Sequence, residues 1–432
     1  MYGKLFYYAP SLIYNYTKYV CGLQDYVATV KHLCTTLAQI NIFYVKFFQW
    51  FTESVQDEEL FAYFKQFKTN VPFTPADIDT AAIDHIQQTF QNKGQILKID
   101  LAQPLNSGTV ALVFKGTLEN FNFKNADKKE ANADKRPVVL KVLRVNILQE
   151  LENMYAHYTW VTWFIKWLRP DIKIDFLKMI TDTRENCFAQ LDFLQEAQNI
   201  QTFEKKFQKN KRIVIPQVYA ANKAVLVMDY LDGHPLDAWT VPDYHAYAKA
   251  FTYFLISSYF IKDVYHGDLH MGNIVFLKDH RIGLIDFGLV GELTIANQNF
   301  ILELFQSLGA NDYKAVVRLY MDYVLNQSPE SIESPESPES PESIDREVII
   351  ADAITTLEVT GNTNIYMLNH THLLILFQTL YKYGLSLDKN MNIYLYSILS
   401  MIDTMKRLMS QEQESHLINI FERLNREYAS EV

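Results

Sequence analysis

The chain has 432 residues and 49% hydrophobic content, enough for two ordinary domains or one two-lobed enzyme with attached elements, which excludes wholesale disorder. Forty Lys and Arg against 50 Asp and Glu give a formal net charge of -10, the wrong sign for a protein that chiefly grips nucleic-acid phosphates, so no nucleic-acid partner is expected. Cys21, Cys34 and Cys187, an odd number at long spacings, assemble neither a disulfide framework nor a closed zinc site, and a reducing compartment is the default.

The amino-terminal stretch is Tyr-rich around Lys4 and Lys18, with no compact apolar run or small-residue cleavage site, and no signal is expected. Residues 1–85 mix aromatic and aliphatic residues at helical spacing, a helical extension broken at Pro72 and Pro75. From Gln95 the texture turns to short β-prone runs, Ile96 to Leu101, Val110 to Leu118 and Val138 to Leu143, which predict a small antiparallel sheet. The very polar insert Glu119 to Arg136 reads as a solvated hairpin extension.

Helical periodicity returns from Leu148 to Phe207, and the aromatics of Met154 to Leu168 are expected in a core before any lipid contact. Val225 to Leu231 reads as a buried strand leaving into a connector at Asp232 and Gly233; beyond Asp237 the pattern is helical apart from one hairpin. Ser328 to Ser343 repeats Ser-Pro-Glu, its prolines forbid a helix, and its five Glu supply half of the net charge; a disordered acidic loop is expected. Val359 to Tyr381 lacks charged residues but is interrupted by Asn and His, so no membrane span is read. The expectation is an intracellular protein, soluble or peripheral to a membrane. Its fold class is α+β, organised as 1–85, 86–231 and a mostly helical 232–432.

The chemistry concentrates in His266-Gly-Asp268-Leu-His270-Met-Gly-Asn273, followed by the apolar runs Ile274 to Leu277 and Ile282 to Ile285 around a polar turn, then Asp286-Phe-Gly288. Two strands joined by a turn return the end of the second to the start of the first. Asn273 and Asp286 then become neighbours and offer hard oxygens to Mg²⁺, while Asp268 faces a nucleophile. This joint spacing is that of the kinase catalytic and metal loops, in which the first Asp orients the attacking hydroxyl. His266 and His270 are expected to position that loop and not to bind metal.

A phosphate-binding cation is expected from Lys141, which alternation places on one sheet face with Val139 and Leu143, where an ammonium is costly without an anion. Glu196 lies on the apolar stripe of a helix with Phe193, Ala197, Ile200, Phe203 and Phe207, and the two form the natural pair. The turn Asn106-Ser107-Gly108-Thr109 holds one glycine yet can present backbone N–H groups to phosphate. Adenine is expected beside the strand end at Asp229 to Leu231.

Several segments resemble the AarF/UbiB/ADCK family of atypical kinases over roughly residues 80 to 310. Phe90-Gln-Asn92-Lys-Gly-Gln95 is similar to its Lys-x-Gly-Gln segment, Gln190-Leu-Asp192-Phe-Leu-Gln-Glu196 to its Glu-x-Asp and helix-Glu block, and Phe287-Gly-Leu-Val-Gly291 to its activation-loop start. The resemblance implies a protein-kinase-like two-lobed fold with extra helices, ATP or another adenine nucleotide with Mg²⁺, and a role in ubiquinone or related prenyl-lipid metabolism at a membrane. Two positions depart from the family. Asn92 stands where its Lys sits and Gln190 where its Glu sits, and a matched amide contact between them is expected because losing one charge alone strands the other. Gly267 before Asp268 provides no cation to read a phosphorylated activation loop. Two other readings stay open: a small-molecule phosphotransferase like the aminoglycoside and choline kinases, and a catalytically weak nucleotide-gated scaffold.

Overall fold

The structure, a computed structural model, describes residues 2–45, 57–65, 71–120, 135–156, 188–234, 244–327 apart from 270 and 311, 346–359, and scattered positions between 379 and 404. Positions 121–134 of the polar insert, most of the aromatic stretch after Met154, Cys187, His270 and the Ser-Pro-Glu repeat lie outside them, while the ends of the insert belong to strands. The chain forms two compact units, Met1–Lys205 with Ile215–Leu231, and Lys206–Val214 with Asp232–Val432.

The first unit is built on an antiparallel sheet of β1 (Gln95–Ile99), β2 (Asn106–Ser107), β3 (Ala111–Asn120), β4 (Lys135–Leu143), β6 (Val218–Ala221) and β7 (Val225–Asp229), in the order β1-β3-β4-β7-β6 with β2 alongside β3. The strand runs read from the sequence are β1, β3, β4 and β7; the end of β4 at Leu143 and the start of β7 at Val225 coincide with the limits of those runs, and the other boundaries shift by one to three residues, because pairing and not propensity alone sets where a ladder stops. The short β6 carried no alternating signal. It forms because Asn222 accepts the N–H groups of Ala224 and Val225 at 2.8 and 2.7 Å and so turns the chain back along β7.

One sheet face, with Leu112, Phe114, Leu118, Val138, Leu140, Val142, Val225 and Val227, buries against Ile83, Ile86 and Phe90 of a helix at Thr80–Asn92. That helix begins where the Asp79 carboxylate accepts the Ala82 N–H at 3.0 Å. It carries the helical texture past the boundary at 85 and into the sheet's own core. Upstream, α1 (Tyr2–Val20), α2 (Tyr26–Ile40) and α3 (Glu58–Lys65) precede it, so the Thr80–Asn92 helix is α4. A separate small core of Cys34, Val45, Leu60, Phe64 and Val71 closes this extension. Buried Asn41 stitches it to a helix over 147–156, donating to the Glu150 carbonyl at 2.7 Å.

The second unit is mostly helical, with α6 (Tyr244–Ile256), α7 (Ile295–Gly309), α8 (Tyr313–Gln327) and α9 (Arg346–Val359); the helix Phe193–Phe207, which crosses from the first unit, is α5. Its expected hairpin is β10 (Ile274–Leu277) with β11 (Ile282–Leu284), paired Ile274↔Leu284 through Phe276↔Ile282. Several very short strands escaped the sequence reading. β5 (Ile213–Val214) runs parallel to β11, β8 (Gly233–His234) flanks β10, and β12 (Val290–Glu292) pairs with β9 (Val264–His266). Two or three residues hold no period to detect.

Cys34 tests the extension's core. It is 5% exposed, and burial pushes its thiol up to about 12, so it stays protonated and shielded between pH 7 and 9, whereas Cys21 is exposed. In a Cys187→Ser protein at pH 8, one thiol should react quickly with Ellman's reagent and the second only on unfolding. Two fast thiols would mean that this core does not form.

Candidate active site

Each unit carries one group of the expected residues. In the first, Lys141 sits mid-strand in β4, with Val113 of β3 opposite on one side and Leu226 of β7 on the other. Its ammonium lies 2.5 Å from Glu196 Oε1, and both residues are buried, at 6% and 3% exposure. The ammonium also lies 5.6 Å from the centre of the Phe193 ring, within cation–π range.

A local device brings residues 55 apart in sequence together. The β6–β7 turn held by Asn222 binds both partners' elements: the Ala224 carbonyl accepts the Leu143 N–H at 2.9 Å, and the Lys223 carbonyl accepts the Phe193 N–H at 3.2 Å. The end of β4 and the start of α5 are thus anchored on adjacent carbonyls. Asp192 completes the helix start, its carboxylate accepting the Leu194 N–H at 2.9 Å and its carbonyl the Glu196 N–H at 3.2 Å. Asn222 was not among the expected residues; an Asn in a short polar turn is common, and only the turn's two neighbours give this one its weight.

The Asn106–Thr109 turn is wired inward. The Ser107 hydroxyl donates to the Val71 carbonyl at 2.5 Å, and the Gly108 N–H donates to the Ala111 carbonyl at 3.0 Å. Thr109 differs: its hydroxyl is buried without a hydrogen-bond partner. Among the described residues no hydrogen bond is made by its N–H either.

At the strand end, the Asp229 carboxylate is engaged within the sheet, accepting the Gln217 N–H at 2.9 Å and the Tyr219 hydroxyl at 2.6 Å. Burial and this carboxylate both hold the Tyr219 phenol above its ordinary value. The Asp229 N–H is engaged as well, donating to the Gln217 carbonyl at 3.0 Å, and Leu231 beyond it is half-buried.

The matched amide contact is not formed. Asn92 is exposed at the end of α4, and among the described residues no hydrogen bond joins it to Gln190. An exposed amide is satisfied by water, so nothing forces the two together. Gln95 donates instead to Asn120 Oδ1 across the β1–β3 pair at 2.9 Å.

In the second unit the loop after β9 is organised by buried His266. Its Nδ1 accepts the Asp268 N–H at 3.3 Å, which leaves Nε2 as the protonated nitrogen donating to the Asp286 carbonyl. The ring is thus the neutral tautomer, and it ties the start of the loop to the residue that follows β11. The Ile285 N–H donates to the Asn273 carbonyl at 3.2 Å, extending the β10–β11 pairing and bringing Asn273 beside Asp286. Asn273 Nδ2 donates to the Asp268 carbonyl at 2.8 Å, which leaves its Oδ1 as the atom available to a cation, and Asp286 Oδ1 accepts the Gly288 N–H at 2.9 Å.

This amide and carboxylate oxygen set suits Mg²⁺, which takes few protein oxygens. Among the described residues no cluster of three or more His, Cys, Asp or Glu could hold a metal by itself. A Cβ at Gly267 would meet Leu289 Cγ at 2.7 Å and Ile393 Cγ2 at 2.8 Å, so larger side chains are kept out. Ser397, far down the chain, also holds this loop: its hydroxyl donates to the His266 carbonyl and lies 2.9 Å from the Tyr259 hydroxyl. No motif spacing could have pointed to it.

Comparison with known proteins places this geometry among relatives. Residues 128–320 match the ABC1 atypical kinase-like domain, and the architecture is protein-kinase-like. The chain is 26% identical over 200 residues to the probable protein kinase UbiB of Cronobacter sakazakii, covering 43% of this chain and 36% of that one. It is 24% identical over 244 residues to an uncharacterised chloroplastic aarF domain-containing protein kinase of Arabidopsis thaliana, covering 52% and 44%. The matched part therefore spans less than half the length of these relatives. A Mycobacterium tuberculosis protein solved with erythromycin overlays with a TM-score of 0.49 at 17% identity, covering 88% of this chain and 92% of that one, too loosely to bear on function.

Glu196→Ala should destabilise the protein by about 3 to 5 kcal/mol, because it strands the buried Lys141 charge, while Lys141→Met with Glu196→Leu should restore most of that loss. Urea unfolding of the single and double variants measures both. A double variant no better than the single one would show that the pair's charges are not what the site depends on.

Proposed function

We propose, from the premise that this chain belongs to the AarF/UbiB/ADCK family of atypical kinases, that it binds an adenine nucleotide with Mg²⁺ and transfers or hydrolyses its terminal phosphoryl group. The observation that carries this reading is the 2.5 Å Lys141–Glu196 pair. A buried lysine held by a helix-borne carboxylate is the device that fixes a cation for phosphate oxygens. Lys141 would neutralise phosphate charge, Glu196 would fix the ammonium, and Phe193 would shield the pair from water.

Asn273 and Asp286 would hold Mg²⁺, which when bound offsets charge on the phosphate oxygens. Asp268 would orient the attacking hydroxyl or water and accept its proton as the new P–O bond forms and the bond to the leaving diphosphate oxygen breaks. His266 keeps that carboxylate's backbone in register with Asp286 through its two ring nitrogens. The Asp229 to Leu231 backbone would meet adenine, and Thr109, whose N–H makes no hydrogen bond among the described residues, is the residue of its turn best suited to a phosphate oxygen.

The place of this activity in prenyl-lipid or ubiquinone metabolism, at a membrane surface, follows from the family resemblance and is part of the proposal. Among the described residues no helix is long and apolar enough to cross a membrane. A second reading, a nucleotide-gated scaffold with little turnover, draws on the inward wiring of Ser107 and Gly108, which leaves few donors in the turn for catalysis.

Melting curves and phosphate release with MgATP separate the two. Nucleotide at about 100 Kd should stabilise the folded state by about 2.7 kcal/mol. Asp286→Asn should abolish the Mg²⁺-dependent part of that shift, whereas Asp268→Asn should keep it and lose turnover. Normal turnover by Asp268→Asn would remove this carboxylate from the mechanism, and a shift without any phosphate release in the unmodified protein would favour the scaffold.

A further inference from the structure

Arg144, three residues beyond Lys141 and on the opposite face of β4's line, is buried at 4% exposure. Its guanidinium gathers four acceptors. Nε donates to the Gly108 carbonyl at 3.0 Å, and Nη2 to Ser107 Oγ at 2.9 Å and the Val71 carbonyl at 3.5 Å. Nη1 meets Asp77 Oδ2 at 3.2 Å. Its backbone N–H is given to the Val110 carbonyl at 3.0 Å, so side chain and main chain together grip the turn from Ser107 to Val110. Burial draws the guanidinium below its ordinary value and Asp77 draws it back, consistent with a cation held for its hydrogen bonds.

The consequence lies in one peptide plane. In a trans peptide the carbonyl and the following N–H point in opposite directions. Nε holds the Gly108 carbonyl toward the buried guanidinium, and the Thr109 N–H of that same plane is thereby turned away from it. This is the N–H, beside the unpartnered Thr109 hydroxyl, that makes no hydrogen bond among the described residues. A glycine before it leaves the plane easy to rotate, so something must fix it. A guanidinium fork can do so, since Nε and Nη2 bind neighbouring acceptors on the turn at once, which a lysine's single nitrogen at the end of a flexible stem does not reproduce.

We propose that Arg144 is a positioning residue for phosphate recognition: by pinning the Gly108 carbonyl inward it turns the Thr109 N–H of the same peptide plane toward the phosphate groups of a bound nucleotide. The inference rests on the nucleotide-binding reading above and adds to it the residue that sets the turn. The same grip ties the turn to Val71, a member of the extension's core, whose N–H also donates to the Ser107 carbonyl at 2.8 Å. The helical extension thereby braces the turn through Val71 and Asp77.

The test is the ratio of affinities for MgADP and adenosine, measured on the full chain by competition against a fluorescent adenine nucleotide, with melting temperatures alongside. The unmodified protein should prefer MgADP. Arg144→Lys should lose about tenfold of that preference while adenosine binding changes less than about twofold, as for a lost hydrogen bond to a charged group. Ser107→Ala, a milder change should Arg144→Lys fail to fold, should lose part of the same preference. An unaltered ratio in the folded variants, even with a lowered melting temperature, would overturn the positioning role and leave the nucleotide reading standing. An unmodified protein that prefers adenosine equally would overturn it too, and one that binds neither ligand would remove the nucleotide reading on which it rests.

Discussion

The buried ion pair of Lys141 and Glu196 is the constraint around which the first unit is arranged. Removing an ammonium and a carboxylate from water costs several kcal/mol for each ion, which their attraction offsets only when the geometry is kept close. At 2.5 Å, with both residues buried, it is kept close by elements and not by the side chains alone. β4 lies between β3 and β7, and α5 starts from the turn that also holds the end of β4. Loosening that turn would move the carboxylate from the ammonium and leave two buried charges uncompensated, so the pair and the frame enforce one another.

The second unit solves its positioning problem with neutral groups. His266 joins the Asp268 N–H to the Asp286 carbonyl, Asn273 reaches the Asp268 carbonyl, and Ser397 reaches the His266 carbonyl. These bonds act on main-chain atoms, and the Asp286 carboxylate adds one more by accepting the Gly288 N–H.

The extension at the amino end belongs physically to the first unit. Asn41 is stitched to Glu150, α4 fills one face of the sheet, and Val71 is bonded on both its N–H and its carbonyl to Ser107. Arg144 gathers these threads at one point. The Ser107–Val110 turn has a single glycine, and the Arg144 guanidinium holds it from the buried side through the Gly108 carbonyl and Ser107 Oγ.

Much of the framework was legible in the sequence for a local reason. Asn273 and Asp286 flank a tight hairpin, so strand pairing over a few residues brings them side by side whatever the rest of the chain does. β1, β3, β4 and β7 show as apolar runs. Lys141 and Glu196 could be matched across 55 residues because each is a charge on an apolar face, and each such charge demands a partner. Asn92 and Gln190 could not be matched in this way, because neutral amides make no such demand. Arg144 with Asp77 and Gly108, Asn222 beneath the ion pair, and Ser397 on the loop carry ordinary polar signals that fit any surface. Sequence by itself determined which charges must be neutralised and which strands must pair, since burial and periodicity are local properties. Only the tertiary structure decided which distant carbonyl or hydroxyl each donor meets, because hydrogen bonds between remote segments depend on how whole elements pack and leave no period along the chain.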